Sequence, residues 1–176
     1  MGVDAAWLNQ HIRDVPDFPK PGVTFKDITP LLADVDAFRF SVDALADHFA
    51  GDQVDRVVGI EARGFILAAP LAYRIGAAFV PVRKAGKLPW TVAREEYDLE
   101  YGSDRLEMHR DGVLPGERVL IVDDVLATGG TASAALRLVE GLGAHVMGLA
   151  FLIELAFLGG RANLADRDVV ALLTYA

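Results

Sequence analysis

Five short apolar runs, rich in β-branched residues, recur along the chain with helical patterns between them. This alternation constrains the fold more than any other feature. The runs are RVVGI (56–60), AAFVPV (77–82), RVLIVDD (118–124), HVMGLAFLI (145–153) and DVVALL (168–173). Each has the length of a buried strand. Between them, Phe38, Val42, Leu45 and Phe49 follow i, i+4, i+7, i+11 spacing, with Asp34 or Asp36 placed to cap the helix. Ala135, Leu138, Val139 and Leu142 repeat the pattern before a stop at Gly143. Segment 64–75 is apolar all round and reads as a buried helix despite Pro70. Strands alternating with helices predict right-handed βαβ units, hence an α/β fold with a central, mostly parallel sheet flanked by helices. Such sheets bind ligands outside the carboxyl ends of their strands.

Two parts stand outside this alternation. Residues 1–35 contain DFPKPGVTFKDITP, whose three prolines preclude a simple helix and suggest a small hood. Residues 83–110 begin as a polar loop to about Glu96. YDLEY and RLEMH then read as two strands joined across Gly102, Ser103 and Asp104, a mobile loop with a hairpin. A chain of 176 residues fits a single domain over 1–176. Its net charge of −8 argues against partnership with nucleic acid or an acidic membrane surface. The absence of cysteine removes disulfides, thiolate metal sites and thiol nucleophiles. His11, His48, His109 and His145 are scattered without metal-ligand spacing. The start MGVDAAWLNQ lacks a basic-then-apolar leader, and Ala6 stands where a myristoylation motif needs Ser or Thr. A cytoplasmic protein is expected.

Chemistry concentrates in RVLIVDDVLATGGTA, Arg118 to Ala132. An apolar strand gives way to Asp123 and Asp124, then to the small residues Ala127, Thr128, Gly129, Gly130 and Thr131, and then to a helix expected from Thr131. Free amides and the helix dipole make such a loop an anion site. It has neither the Gly-Lys-Ser/Thr of a Walker loop nor G-x-G-x-x-G. Alone, a Gly-Gly turn is only a turn, and paired acids at a strand end are a cap or a solvated surface. Together they suit one ligand. A phosphate rests on the loop amides while sugar hydroxyls donate to the carboxylates, as a ribose 5-phosphate would. Negative charge beside the sugar also favours a cationic ribosyl transition state.

VLIVDDVLATGGT resembles the phosphoribosyl-pyrophosphate (PRPP) motif of the type I phosphoribosyltransferases. DFPKPGVTFKDITPLL, GIEARGF, PVRKAGKLP and YDLEYGSDRLEMH resemble, in that order, the adenine-specific family among them, from about Pro16 to Leu158. The resemblance implies the type I phosphoribosyltransferase fold and transfer of phosphoribose from PRPP to adenine, giving AMP and pyrophosphate. It also implies Mg²⁺ bound mainly through PRPP, without dedicated protein ligands, and a homodimer. It gives Asp123 and Asp124 to the ribose and 127–131 to the 5′-phosphate. Arg63, Lys84 and Lys87 fall on pyrophosphate, joined by Arg83 from the partner subunit. Glu100 becomes the acid–base group near the purine, and Tyr101 part of the closing lid. Thr24, Phe25 and Lys26 bind adenine, Phe25 by stacking and its neighbours through their backbone, with Leu155 on the other face. Many relatives carry Arg where Lys26 stands. Trp90 receives no role.

Each of these residues also has a plainer reading: Glu61 and Arg63 as a solvated ion pair, 83–87 as a basic turn, Glu100 as a strand carboxylate, Phe25 as hood core. Two other functions compete. A phosphoribosyltransferase for hypoxanthine, guanine, xanthine or orotate would share the PRPP motif, but not GVTFKDITP together with YDLEYG. A PRPP-sensing regulator would show a basic face or an added DNA-binding domain, and would have less need of Glu100 and Lys87.

Overall fold

The structure is a computed structural model, and it describes residues 5–98, 103–164 and 167–176. After a 3-10 turn over Ala6–His11 come two short strands, β1 (Arg13–Val15) and β2 (Phe25–Asp27), paired antiparallel as a two-stranded sheet of their own. Helix α1 (Thr29–Ala33) holds Pro30 in its first turn, where a missing N–H breaks no helical bond. Helix α2 (Val35–His48) starts on Asp34, whose carboxylate accepts from the amides of Asp36 and Ala37 at 3.1 and 2.9 Å. Of the two acids that could cap this helix, Asp34 does so. The expected stripe is buried at Val42, Leu45 and Phe49, with Phe38 half-buried.

The body follows as β3 (Arg56–Ile60), α3 (Gly64–Ile75), β4 (Ala78–Lys84), β5 (Val92–Asp98), β6 (Ser103–His109), β7 (Arg118–Leu126), α4 (Gly130–Gly141), β8 (His145–Leu155) and β9 (Val169–Tyr175). Seven strands form one sheet in the order β5-β6-β4-β3-β7-β8-β9. The run from β4 to β9 is parallel, and β6 and β5 add antiparallel at the β4 edge. One apolar layer joins α4 to the sheet through Val80, Val82, Ile121 and Phe151. The other joins α2 and α3 through Leu45, Leu67, Leu71, Leu120 and Leu152. From β3 the chain crosses through α3 to β4 on one side, while β7, on the other side of β3, continues through α4 to β8. The strand order therefore reverses between β3 and β7, and a crevice opens at their carboxyl ends.

The hairpin differs from the sequence expectation. Its first strand begins at Val92, so the last part of the expected polar loop, residues 92–96, is strand. Ser103 and Asp104, expected in the turn, belong to β6, paired with Asp98 and Tyr97. The charges are the reason. Arg94 pairs with Glu107 at 3.0 Å, Arg105 with Glu96 at 2.7 Å and Arg137 of α4 with Glu95 at 2.6 Å. Residues that look like loop in sequence are matched across strands, a common way to finish a sheet edge. The expected polar loop over 83–96 thus shrinks to residues 85–91, between β4 and β5. Helix α4 starts one residue before the expected Thr131.

Candidate active site

The crevice is a cavity of about 430 Å³, within the size range of small-molecule sites. Three parts of the chain line it. The segment Val23–Lys26 enters from the hood, Glu61–Arg63 follow β3, and Asp123–Ala132 leave β7 for α4; Lys84 and Leu155 complete the wall. Of the residues singled out in sequence, Thr24, Phe25, Lys26, Arg63, Lys84, Asp123, Asp124, 127–131 and Leu155 meet here. Arg83 and Lys87 do not line the cavity. Both bind Glu61, which does, Arg83 through contacts of 3.2 and 3.3 Å. Glu100 and Tyr101 lie outside the described residues.

Gly129 takes φ +82° just ahead of α4, a conformation glycine adopts without steric cost. Its carbonyl accepts the Ser133 amide at 2.8 Å, opening the helix. The first α4 residues, Gly130 to Ala132, whose amides have no intrahelical partner, line the cavity.

The carboxylates behave unlike one another. Asp124 is 5% exposed and bound to the Arg63 guanidinium. Asp123 accepts the Asp124 amide at 2.9 Å. Burial, and then the Asp124 carboxylate beside it, push Asp123 well above the usual carboxylate range. Arg63 also lies 5.1 Å from the centroid of the Phe25 ring, so one guanidinium spans the hood aromatic and the β7 acid. The sequence-level pairing of Glu61 with Arg63 does not form.

Glu61, which the sequence offers only as half of a solvated ion pair, lines the cavity. Burial raises its pKa, but hydrogen bonds from Lys87, Arg83 and the Lys84 amide outweigh that and hold it at about 2. Its position follows from strand register, since Ile60 lies beside Val82 in the parallel pair and the next residues are Glu61 and Arg83. Tyr97 and Asp104 were also missed. Lys84 donates to the Tyr97 hydroxyl at 2.5 Å and pairs with Asp104, and the Tyr97 hydroxyl reaches Asp104 at 3.2 Å and Thr131 at 3.4 Å. Burial alone would lower the Lys84 pKa, yet the Asp104 and Tyr97 contacts raise it. Lys26 turns its side chain away, to Asp14 at 2.7 Å and over the Tyr175 ring at 3.9 Å, while its residue lines the cavity.

Gly64 shows how tightly β7 is set against α3. A methyl group there would lie 2.8 Å from an Asp123 oxygen and 2.9 Å from the Val122 carbonyl. Gly64→Ala is therefore expected to cost about 1–3 kcal/mol of stability by overpacking and to weaken anion binding with it. Thermal unfolding with and without PRPP checks this, and an unchanged melting temperature together with unchanged affinity would contradict it.

The sequence profile of the phosphoribosyl transferase domain matches residues 24–169. An adenine phosphoribosyltransferase of Thermobifida fusca is 57% identical over 99% of this chain and 99% of its own length. The crystal structure of adenine phosphoribosyltransferase from Thermoanaerobacter pseudethanolicus superposes with a TM-score of 0.95 at 52% identity, over 97% of this chain and 99% of that one. The Saccharomyces cerevisiae enzyme, solved with an imino-altritol bisphosphate and adenine, superposes at 0.91 with 40% identity, over 96% of this chain and 98% of that one. The chain belongs to the phosphoribosyl transferase family, in its adenine phosphoribosyltransferase branch.

Proposed function

We propose that the cavity transfers the 5-phosphoribosyl group of PRPP to adenine, giving AMP and pyrophosphate, as purine salvage requires. One observation carries the reading. A single cavity joins a glycine loop at a helix start, a carboxylate pair, the cations Arg63 and Lys84 and an aromatic–aliphatic pair, Phe25 and Leu155. The 5′-phosphate sits on 127–131, and the ribose hydroxyls donate toward Asp123 and Asp124. Pyrophosphate leaves against Arg63, Lys84 and Lys87, while adenine lies between Phe25 and Leu155. As the bond from ribose C1′ to pyrophosphate breaks and N9 of adenine approaches, positive charge grows on the sugar and the carboxylate pair stabilises it. Glu100 takes the acid–base role near the purine, and Tyr101 closes over it. Formation of AMP from adenine and PRPP tests the reading; no AMP under those conditions rejects it.

The donor set fits Mg²⁺ that arrives with PRPP. Among the described residues no three His, Asp or Glu side chains gather as a metal cage, and Asp124 is engaged by Arg63. PRPP oxygens and water would supply the ligands, and the ion would neutralise charge on the departing pyrophosphate.

The proposal includes a homodimer. On α3, Ile66 and Tyr73 are 41% and 90% exposed one heptad apart, and Phe79 on the adjacent β4 is 37% exposed. Arg83 alternates onto the same face of β4 as Phe79. A partner covering this patch would bring Arg83 to the rim of its own site. Mixing Arg83→Ala chains with Glu100→Gln chains is then expected to recover activity, because one site of the mixed dimer has both residues native. Inactive heterodimers, shown to have formed, would assign Arg83 to its own subunit. No described helix is long and apolar enough to cross a membrane, and the proposal takes the cytoplasm as the setting.

A further inference from the structure

After β8 the chain makes a 3-10 turn over Gly160–Leu164, outside the cavity lining. Its far side is fixed to the body. Leu164 is 2% exposed within the α4-side core. Arg161 donates to Glu154 at 3.0 Å and to the Val169 carbonyl at 2.7 Å. Its near side meets the glycine loop. The Asn163 amide donates to the Thr128 carbonyl at 2.7 Å. A methyl group on Gly160 would stand 2.1 Å from the Ala127 carbonyl oxygen and 2.9 Å from the Gly129 nitrogen, and one on Gly129 would stand 2.4 Å from the Gly160 carbonyl oxygen. Two backbones are in contact here with no room for a side chain.

We propose that this turn is the backstop of the glycine loop, with Asn163 and Gly160 as positioning residues for PRPP. The proposal rests on the reading that 127–131 holds the 5′-phosphate. The peptide unit is planar and trans, so a hydrogen bond on the Thr128 carbonyl also fixes the Gly129 N–H, which lies in the same plane and points the opposite way. Asn163 thereby sets the direction of a donor it never touches. Gly160 sets the depth of the loop, because its backbone lies where any larger residue would push 127–129 toward the cavity. Preorganised donors bind an anion best when no reorganisation is needed on arrival, so a loosened loop shows first as lost PRPP affinity.

Asn163 is exposed, which makes it a clean test. Asn163→Asp keeps the shape and removes the donor, and Asn163→Leu removes all polarity. Both are expected to raise KM for PRPP and Kd for AMP about three- to tenfold, the range of one hydrogen bond. KM for adenine and the melting temperature are expected to stay as in the parent enzyme. Gly160→Ala is expected to raise KM for PRPP further, by displacing the backbone itself. A Thr128→Val variant run alongside separates the two ideas. If Thr128→Val weakens PRPP while both Asn163 variants bind it normally, the backstop is wrong and the phosphate reading stands. If Thr128→Val also binds normally, the phosphate reading falls and takes the backstop with it. A lowered melting temperature with unchanged KM would make the turn merely structural and overturn the proposal.

Discussion

Given PRPP, Mg²⁺ and a panel of bases, the enzyme is expected to form AMP readily and almost no IMP or GMP. Adenine presents an amino donor at C6, where hypoxanthine presents a carbonyl. In the proposed site a backbone acceptor on the Thr24–Lys26 segment would satisfy the amino group and would be set against the hypoxanthine oxygen, leaving two buried acceptors unpaired. Sites built around such a bond discriminate by ~10⁴–10⁵ in kcat/KM. The Lys26 side chain is held by Asp14 and Tyr175, so the backbone of this segment remains the element available for reading the base edge. With adenine placed as proposed, Phe25 and Leu155 would stack on either purine alike and add affinity without preference. Phe25→Ala should accordingly raise KM for adenine strongly and leave the adenine-to-hypoxanthine ratio largely unchanged. Comparable kcat/KM for the two bases would move the protein to the 6-oxopurine enzymes.

The second large effect is expected at the glycine loop. Thr128→Val removes a hydroxyl from the cavity wall, and Gly130→Ala adds bulk at the first residue of α4. Losing one preorganised donor costs ~2.7–4 kcal/mol at comparable anion sites, which is a hundredfold or more in affinity. Calorimetry with PRPP reads the loss, and circular dichroism checks that the fold persists. Parent-like affinity in both variants would remove the loop from the site.

Much of this architecture is legible in the sequence because burial writes it there. β3 and α3 begin and end where their apolar runs do, and Asp34 caps α2 as its chemistry allows. The parallel strands run on past their apolar runs, β7 to Leu126 and β8 to Leu155, because pairing and burial both continue there: Leu126 and Glu154 are buried and the β7–β8 and β8–β9 ladders extend to these residues. β5 is the element the pattern hides. VAREEYD carries charge on both faces of an edge strand, and its partners Glu107, Arg105 and Arg137 are visible only once register is known. The candidate site divides in the same way. The contiguous run 123–131, singled out in sequence, lines the cavity. Glu61, Tyr97 and Asp104 matter through contacts between β3, β4 and the hairpin, which no local spacing records.

Under the proposed function, the pairing of Arg63 with Asp124 makes the site a coincidence detector. In that reading the guanidinium serves pyrophosphate and the carboxylate serves the ribose, and in the structure each is the other's partner. A ligand with an anion alone would take Arg63 and strand a carboxylate that is 5% exposed. One with sugar hydroxyls alone would leave the cation unmatched. Only a molecule that offers both halves at the right separation dissolves the pair without leaving either member unsatisfied. Under the proposed function, discrimination against free pyrophosphate and against simple pentoses would rest on one internal salt bridge, before the purine takes any part.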